Sequence, residues 1–289
     1  MNEIIKNDRS YVGYEYKEIL VSKDKVSMCI DGYKNFGWKL DENRKQLTEK
    51  EKSIIYLKRD RRIINKAELT RLQRHFAKIS DKEASLIEPF TVGCRAARRA
   101  FPKNGEKAIV FGAGTIGIAA AIALKYFGCE KVMICDHSDF RLEKAKKLGF
   151  EICNNGKENL AKKAIQYFGE ALSIKGVTAD VDIYIDAAGA ECILETYQEM
   201  GKIESRMVIV AVLAGMRPVN ILDMTFSQHS IIGSGGYMPE DVKDVMNIME
   251  SGKWDIDTII THKFPLEKLS EAIEKAADVD NSLNVVIEY

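Results

Sequence analysis

No apolar run in this 289-residue sequence reaches the ~18–20 residues that span a bilayer, so no membrane-crossing helix is expected. The first ten residues are polar and lack the apolar centre of a signal peptide. The six cysteines (Cys29, Cys94, Cys129, Cys135, Cys153, Cys192) form no C-x-x-C pair, and no four crowd into one loop. That pattern argues against a disulfide framework and reads as reduced, mainly buried thiols, with the cytoplasm as the expected location. There is no internal repeat, no low-complexity linker and no phosphate-binding loop of the G-x-x-x-x-G-K type. Spacing alone suggests no Ser/His/Asp or Cys/His pairing.

Net charge is missing as well, since 43 basic residues balance 43 acidic ones. The balance hides an asymmetry. Residues 1–80 hold 19 basic and 12 acidic side chains, a net of +7, and the remainder carries −7. Opposite signs suggest two units, a small basic α+β domain over 1–80 and a larger domain over 81–289. With 46% hydrophobic and 30% charged residues, a sizeable core is expected.

The first unit reads as strands at 11–21, 37–40 and 53–58, with Ser22 capping a short helix through Val26, Ile30 and Tyr33. Asn65 and Glu68 resemble a capping box for a helix reaching about 78, with Leu69, Leu72 and Phe76 on one face. Phe36, Trp38 and Tyr56 are expected in its core. The basic cluster Lys58, Arg59, Arg61, Arg62, Arg71 and Arg74 is expected as a solvated face paired with Asp60 and Glu68. Phosphate or nucleic-acid binding is the less favoured alternative.

From residue 84 strands alternate with helices. Strands are expected at 108–112, 132–136, 151–154, 181–186, 208–213 and 230–234. Helices are expected at 115–127, 139–148, 157–169, 191–202, 221–227 and 239–251, after one through Cys94, Ala97 and Ala100. This alternation predicts an α/β fold, a doubly wound parallel six-stranded Rossmann sheet in the order 3-2-1-4-5-6. A tail over 255–289 adds a strand, a helix after Pro265 and a last strand.

The chemistry-bearing motif is Gly112-Ala113-Gly114-Thr115-Ile116-Gly117, between a buried strand and an apolar helix. Gly112 permits the tight turn, Gly114 lets the backbone approach a pyrophosphate, and Gly117 lets the helix pack on the strand. The helix start at Thr115 and Ile116 offers unpaired N–H groups to phosphate. Asp136 follows Gly117 by 19 residues at the end of the next strand, where a carboxylate accepts ribose hydroxyls and repels a 2′-phosphate. NAD is therefore the expected cofactor. Arg141 is expected on the surface of the next helix, with softening of that discrimination as the less favoured alternative. A glycine-rich turn without a ligand is the alternative for the whole motif.

These residues resemble the medium-chain, zinc-type alcohol and polyol dehydrogenases, including sorbitol and threonine dehydrogenase-like members. The carriers are Ala84 to Gly93 (ASLIEPFTVG), Val110 to Ile118 (VFGAGTIGI), Cys135 to Gly149 (CDHSDFRLEKAKKLG), Val181 to Gly189 (VDIYIDAAG) and Ile259 to Leu266 (IITHKFPL). The resemblance implies zinc-assisted hydride transfer to NAD. It sets Val212 and Leu213 near the nicotinamide, the backbone after Asp186 near the adenosine side of the cofactor, and Glu88 beside the metal, with a helix N-terminal acid favoured by the dipole as the alternative for Glu88. The sequence departs from the family before Glu88. There it has one cysteine, Cys29, and one histidine, His75, but no Gly-His-Glu and no four-cysteine zinc loop. In the family the 255–289 tail packs on the catalytic domain, which is absent from this pattern.

Residues 1–77 resemble small uncharacterised proteins of Gram-positive bacteria, through Val12 to Lys17 (VGYEYK), Asp31 to Trp38 (DGYKNFGW) and Lys58 to Arg74. That resemblance implies no activity. The expected function is an NAD-binding alcohol/polyol dehydrogenase-like homologue, with a homo-oligomer or a complementing catalytic-domain chain as the partners that pattern allows. The alternatives are a non-catalytic NAD-binding or regulatory module, or a fusion whose first domain binds a partner or phosphate. His137 and His75 are expected at the surface, and His262 in a structural hydrogen bond.

Overall fold

The computed structural model describes residues 13–44, 47–49, 51–67, 69–70, 73 and 81–288. The chain divides into two compact units, Met1–Lys78 and Ile79–Tyr289.

In the first unit β1 (Tyr14–Ser22) leads to α1 (Val26–Lys34), then β2 (Lys39–Leu40), β3 (Leu47–Glu49) and β4 (Lys52–Asp60). Nine residues of β4 pair antiparallel with β1, and β2 and β3 pair with its other edge. Strict alternation along β4 turns Ile55 and Leu57 into a core with Tyr33 and Trp38. The same alternation carries Tyr56 to the opposite face, so the expectation that it lies in the core is wrong. Phe36 and Cys29 pack on the core edge, as expected. Ser22 does not cap the helix. The Lys23 N–H donates to the Glu51 carbonyl at 3.0 Å, so pairing of the two long strands runs on past Ser22 and delays the helix to Val26.

Arg59 also departs from expectation. Its inward register buries the side chain to 3% exposure under the Trp38 ring, 4.6 Å from the centroid. Its five N–H donors are the reason this is tolerated. Nε donates to Glu15 at 2.6 Å, Nη1 to the Phe36 carbonyl at 3.1 Å and Nη2 to Thr70 at 2.9 Å. Lys58 pairs with Asp41, and Arg62 with Asp60. Glu68, Arg71, Leu72, Arg74, His75 and Phe76 lie outside the described residues. So does most of the helix expected after Asn65, whose carbonyl does accept the Leu69 N–H.

The second unit opens with α2 (Asp81–Ala84) and α3 (Ile87–Arg99). Six parallel strands follow: β5 (Lys107–Phe111), β6 (Lys131–Asp136), β7 (Glu151–Asn154), β10 (Ile183–Asp186), β11 (Arg206–Ile209) and β12 (Ser230–Gly233). Their order is β12-β11-β10-β5-β6-β7, the doubly wound arrangement the alternation predicts. The apolar runs are buried on both faces. In β5, Ala108 and Val110 face one core, and Ile109 and Phe111 face the other.

On the first face lie α3, α4 (Thr115–Tyr126), α5 (Asp139–Lys147) and α9 (Pro239–Glu250). On the second lie α6 (Leu160–Phe168) and α7 (Glu191–Met200). The short α8 (Ile221–Ser227) precedes β12. Helices α3 and α4 approach closely at Gly93, where a Cβ would sit 2.6 Å from Ala119 Cβ. The ion pairs of Arg98 with Asp241 and Asp244 tie α3 to α9.

Two elements differ from the sequence expectation. A hairpin of β8 (Glu170–Ser173) and β9 (Gly176–Ala179) follows α6, where no strand was expected. The strand expected over 208–213 ends at Ile209. Beyond it the N–H groups of Val210 and Ala211 both turn onto the Asp186 carbonyl, at 3.0 Å each, and the chain leaves the sheet. In the tail, β13 (Ile260–Pro265) and β14 (Asn284–Glu288) pair parallel around α10 (Leu269–Ala277). Among the described residues these two strands pair only with each other.

Candidate functional site

Strand order reverses at β5, whose neighbours β6 and β10 lead to opposite halves of the sheet. Loops leaving the carboxyl ends of such strands diverge and open a crevice. A cleft of about 310 Å³ lies there. Its floor is Phe111, Gly112 and Gly114. One wall is Asp136 and Arg141, and the other is Ala187, Ala188 and Cys192.

The three glycines serve different ends. Gly112 has φ +102°, which L side chains rarely adopt, and a Cβ there would lie 3.1 Å from the Ala187 carbonyl. At Gly117 a Cβ would sit 1.8 Å from the Gly112 oxygen, so only glycine lets α4 start against the turn. Gly114 is under no such demand. Its φ of −75° suits any residue, and a Cβ would meet nothing within 4 Å. Protein packing therefore does not explain this glycine. Nor does any side chain cap α4. The first-turn N–H groups of Thr115, Ile116 and Gly117 have no partners within the helix. The side chains of Thr115 and Ile116 do not line the cleft, and the Thr115 hydroxyl accepts from Asn284 Nδ2 at 2.8 Å.

Asp136 joins the turn to the wall. Its Oδ2 accepts the Ala113 N–H at 2.7 Å and its Oδ1 the Ser138 N–H at 2.8 Å. Each oxygen has capacity for a further hydrogen bond, and the residue lines the cleft. Ser138 caps α5, accepting from the Arg141 N–H. That first turn swings the Arg141 side chain onto the cleft wall rather than the outer helix surface, and its buried Nε has no partner. Across the cleft Asp186 is 2% exposed, and burial pushes its carboxyl up from the usual carboxylate range. The N–H groups of Ala188 (3.1 Å) and Gly189 (2.8 Å) counter that by donating to it, which shapes the second wall. Sequence reading expected the backbone after Asp186 at the cofactor and missed the part its carboxylate plays. Its signal was an Asp at a strand end with a Gly three residues on, a local side-chain turn.

Other expected site residues stand apart from the cleft. Val212 is fully exposed in the loop after β11, and Leu213 packs beside Gly189. Glu88 is exposed in the first turn of α3. Among the described residues no three His, Cys, Asp or Glu side chains converge on a point that would hold a metal. The described residues therefore do not fit a zinc ion.

The histidines serve structure or surface. His137 is exposed at the cleft wall. His262 Nδ1 lies 3.0 Å from the Thr261 hydroxyl. His229 is buried, with Nε2 3.1 Å from the Lys202 carbonyl and its ring 4.8 Å from that of Tyr197. Burial holds its pKa below the usual value. Cys94, Cys129, Cys135 and Cys153 are buried, and burial pushes the first two thiols up to about 12. Cys192 is exposed at the start of α7, against the expectation of burial.

A profile described as zinc-binding dehydrogenase matches residues 115–251. Sorbitol dehydrogenase of Ovis aries is 30% identical over 200 residues, 68% of this chain and 54% of that protein. Sorbitol dehydrogenase of Bacillus subtilis is 29% identical over 214 residues, 73% of this chain and 58% of that one. The chain thus spans little more than half the length of these relatives. Among solved structures, an Escherichia coli alcohol dehydrogenase complexed with NADH superposes with a TM-score of 0.64 at 25% identity, over 73% of this chain and 60% of that chain. The fold of Bacillus subtilis 2R,3R-butanediol dehydrogenase matches with a TM-score of 0.65 at 22% identity, over 82% and 63%. The doubly wound sheet, its glycine turn and these relatives agree, and the chain belongs through its second unit to the zinc-type medium-chain alcohol and polyol dehydrogenases, carrying their C-terminal Rossmann half.

Proposed function

We propose that residues 81–289 form a dinucleotide-binding domain that takes NAD(H) in the cleft at β5. The carrying observation is the empty space over Gly114, a glycine that no protein contact requires. A pyrophosphate there meets the first-turn N–H groups of α4 and its partial positive charge. Asp136 accepts ribose hydroxyls with its remaining lone pairs, and its charge disfavours a 2′-phosphate. The unpartnered Arg141 Nε supports a polar contact from the same wall. Val212 and Leu213, on the loop beyond Asp186, are the residues we assign to the nicotinamide end.

The activity we assign is that of an alcohol or polyol dehydrogenase-like oxidoreductase. The bound cofactor would accept a hydride from a CH–OH carbon, and this chain's part is to bind and orient it. Glu88 is the one described residue we assign to the family's catalytic centre. The remainder would come from a complementing catalytic-domain chain. Exposed Leu266, Leu269 and Ile273 around α10 suit such a covering partner. A second reading, a non-catalytic NAD-binding module, is favoured by the lack of three converging metal ligands among the described residues.

Titration of the full chain with NADH and NADPH, followed by nicotinamide fluorescence, tests the reading. NADH should saturate below about 1 mM and bind at least ~10-fold tighter than NADPH. No saturation by either would overturn it. Asp136→Asn should narrow the NADH preference.

A further inference from the structure

Two buried polar atoms without a partner, Arg141 Nε and Asn155 Oδ1, line one cleft, the one at the carboxyl end of β5. Arg141 shares its wall with Asp136. Asn155 follows the end of β7. Its neighbour Asn154 looks the same in sequence but is engaged on both sides of its amide. Asn154 Nδ2 donates to the His137 carbonyl at 3.1 Å, and its Oδ1 accepts the Gly156 N–H at 3.2 Å. The Asn154 carbonyl accepts the N–H groups of Lys157 at 2.9 Å and Glu158 at 2.8 Å. These bonds fix the turn that carries Asn155, and none of them uses the Asn155 side-chain oxygen.

We propose that Asn155 reads the adenine of the cofactor, with Oδ1 accepting from the exocyclic N6 amino group and Nδ2 donating to the neighbouring ring nitrogen N7. The proposal rests on the NAD(H) reading of this cleft. Three observations carry it, and the first is position. The sheet order β5-β6-β7 matches the order of a nucleotide's parts. The glycine turn follows β5, Asp136 ends β6 and Asn155 follows β7, as phosphate, ribose and base follow one another. Asp136 is the register partner of Asn154, so Asn155 lies one residue past the ribose carboxylate and one strand, ~4.8 Å, further out.

The second observation is the unpaired oxygen itself. A buried amide oxygen without a partner is costly to keep, and what it lacks is a donor. No hydrogen bond on that oxygen opposes a turn of the amide about its soft terminal torsion, which brings the oxygen to the cleft. The third is the chemistry of the carboxamide, an acceptor beside a donor. Adenine presents the complementary pair at N6 and N7. Hypoxanthine presents a carbonyl oxygen and N7 on the same edge, two acceptors, and leaves Oδ1 unpaired. Across the cleft Cys192 and Ile193 give an apolar surface for a flat ring.

The test is titration of the full chain with NADH and with reduced nicotinamide hypoxanthine dinucleotide, followed by nicotinamide fluorescence. The two differ only in the amino group, so pyrophosphate, ribose and nicotinamide contacts cancel. Wild type should bind NADH ~5- to 100-fold more tightly than the hypoxanthine dinucleotide. Asn155→Ala should weaken NADH more than the analogue and bring the two affinities together. Because the preference is a ratio, a fraction of unfolded variant does not alter it. If NADH saturates wild type and the analogue binds equally well, or if Asn155→Ala keeps the preference, the adenine assignment falls and the cofactor reading stands. Tighter binding of the analogue would make Arg141 the base-reading side chain and overturn the assignment as well. If neither dinucleotide saturates, the cofactor reading falls and the assignment with it.

Discussion

At the scale of single residues, glycines that look alike in sequence do different work. Gly117 is demanded by folding, since a Cβ would collide with the Gly112 oxygen. Gly117→Ala should lower the melting temperature, with a cost of about 1–3 kcal/mol or more from forced displacement of α4. Thermal unfolding by circular dichroism reads this directly. His229 gives a pH signature. Burial depresses its folded pKa, so the unfolded chain binds the extra proton first as pH falls. Its contribution to stability is complete above the unfolded value of about 6.5 and is lost as pH drops from there toward the folded value. Melting temperature should therefore fall between pH 7 and 5 more steeply in wild type than in His229→Phe. Equal slopes would remove His229 as the cause.

The spacing of Asp136 from Gly117 was legible at this scale, because a charge at a strand end is a local sequence feature. Asp186 and Arg141 were less legible. Whether an arginine on a helix's first turn faces solvent or a cleft depends on where the next strand lies, and sequence spacing does not encode that. Tyr56 was misread for the opposite reason. Its aromatic character suggested a core, while the alternation of Ile55 and Leu57 around it already pointed outward.

At the scale of elements, the six parallel strands and their helices were readable because each is a short apolar run bounded by turn residues. Strand β7 and helix α8 fall where expected, at Glu151–Asn154 and Ile221–Ser227. The two failures have different causes. Strand β11 stops at Ile209 because Asp186, far away in sequence, takes the next two N–H groups. The β8–β9 hairpin has four-residue strands, too short for a clear period of two. The packing of α3 on α4 offers an element-scale prediction. Gly93→Leu should destabilise the second unit by about 1–3 kcal/mol, since even a Cβ would overlap Ala119 and the Ile116 carbonyl. Chemical denaturation monitors it. An unchanged midpoint would mean the helices separate freely.

At the scale of the whole molecule, two units with their own cores share one chain. The cofactor cleft is built from elements of the second unit alone. Residues 79–289 expressed separately should therefore bind NADH as tightly as the full chain, within about a factor of three. The exposed apolar residues of α10 make a further expectation. Amide exchange in β13 and β14 should slow in the presence of a covering partner, and fast exchange throughout 259–289 would argue that none is bound.

The central claim is that the space over Gly114 is reserved for a cofactor pyrophosphate. Its most direct test is NADH titration of Gly114→Val beside wild type, with melting temperature recorded for both. The valine should lower the melting temperature by only a few degrees, since a Cβ at this position meets no protein atom within 4 Å and the remaining cost is that of a poorer helix N-cap residue. It should weaken NADH binding by ~10-fold or more, because the side chain fills the phosphate position. A variant that binds NADH as well as wild type would contradict the account.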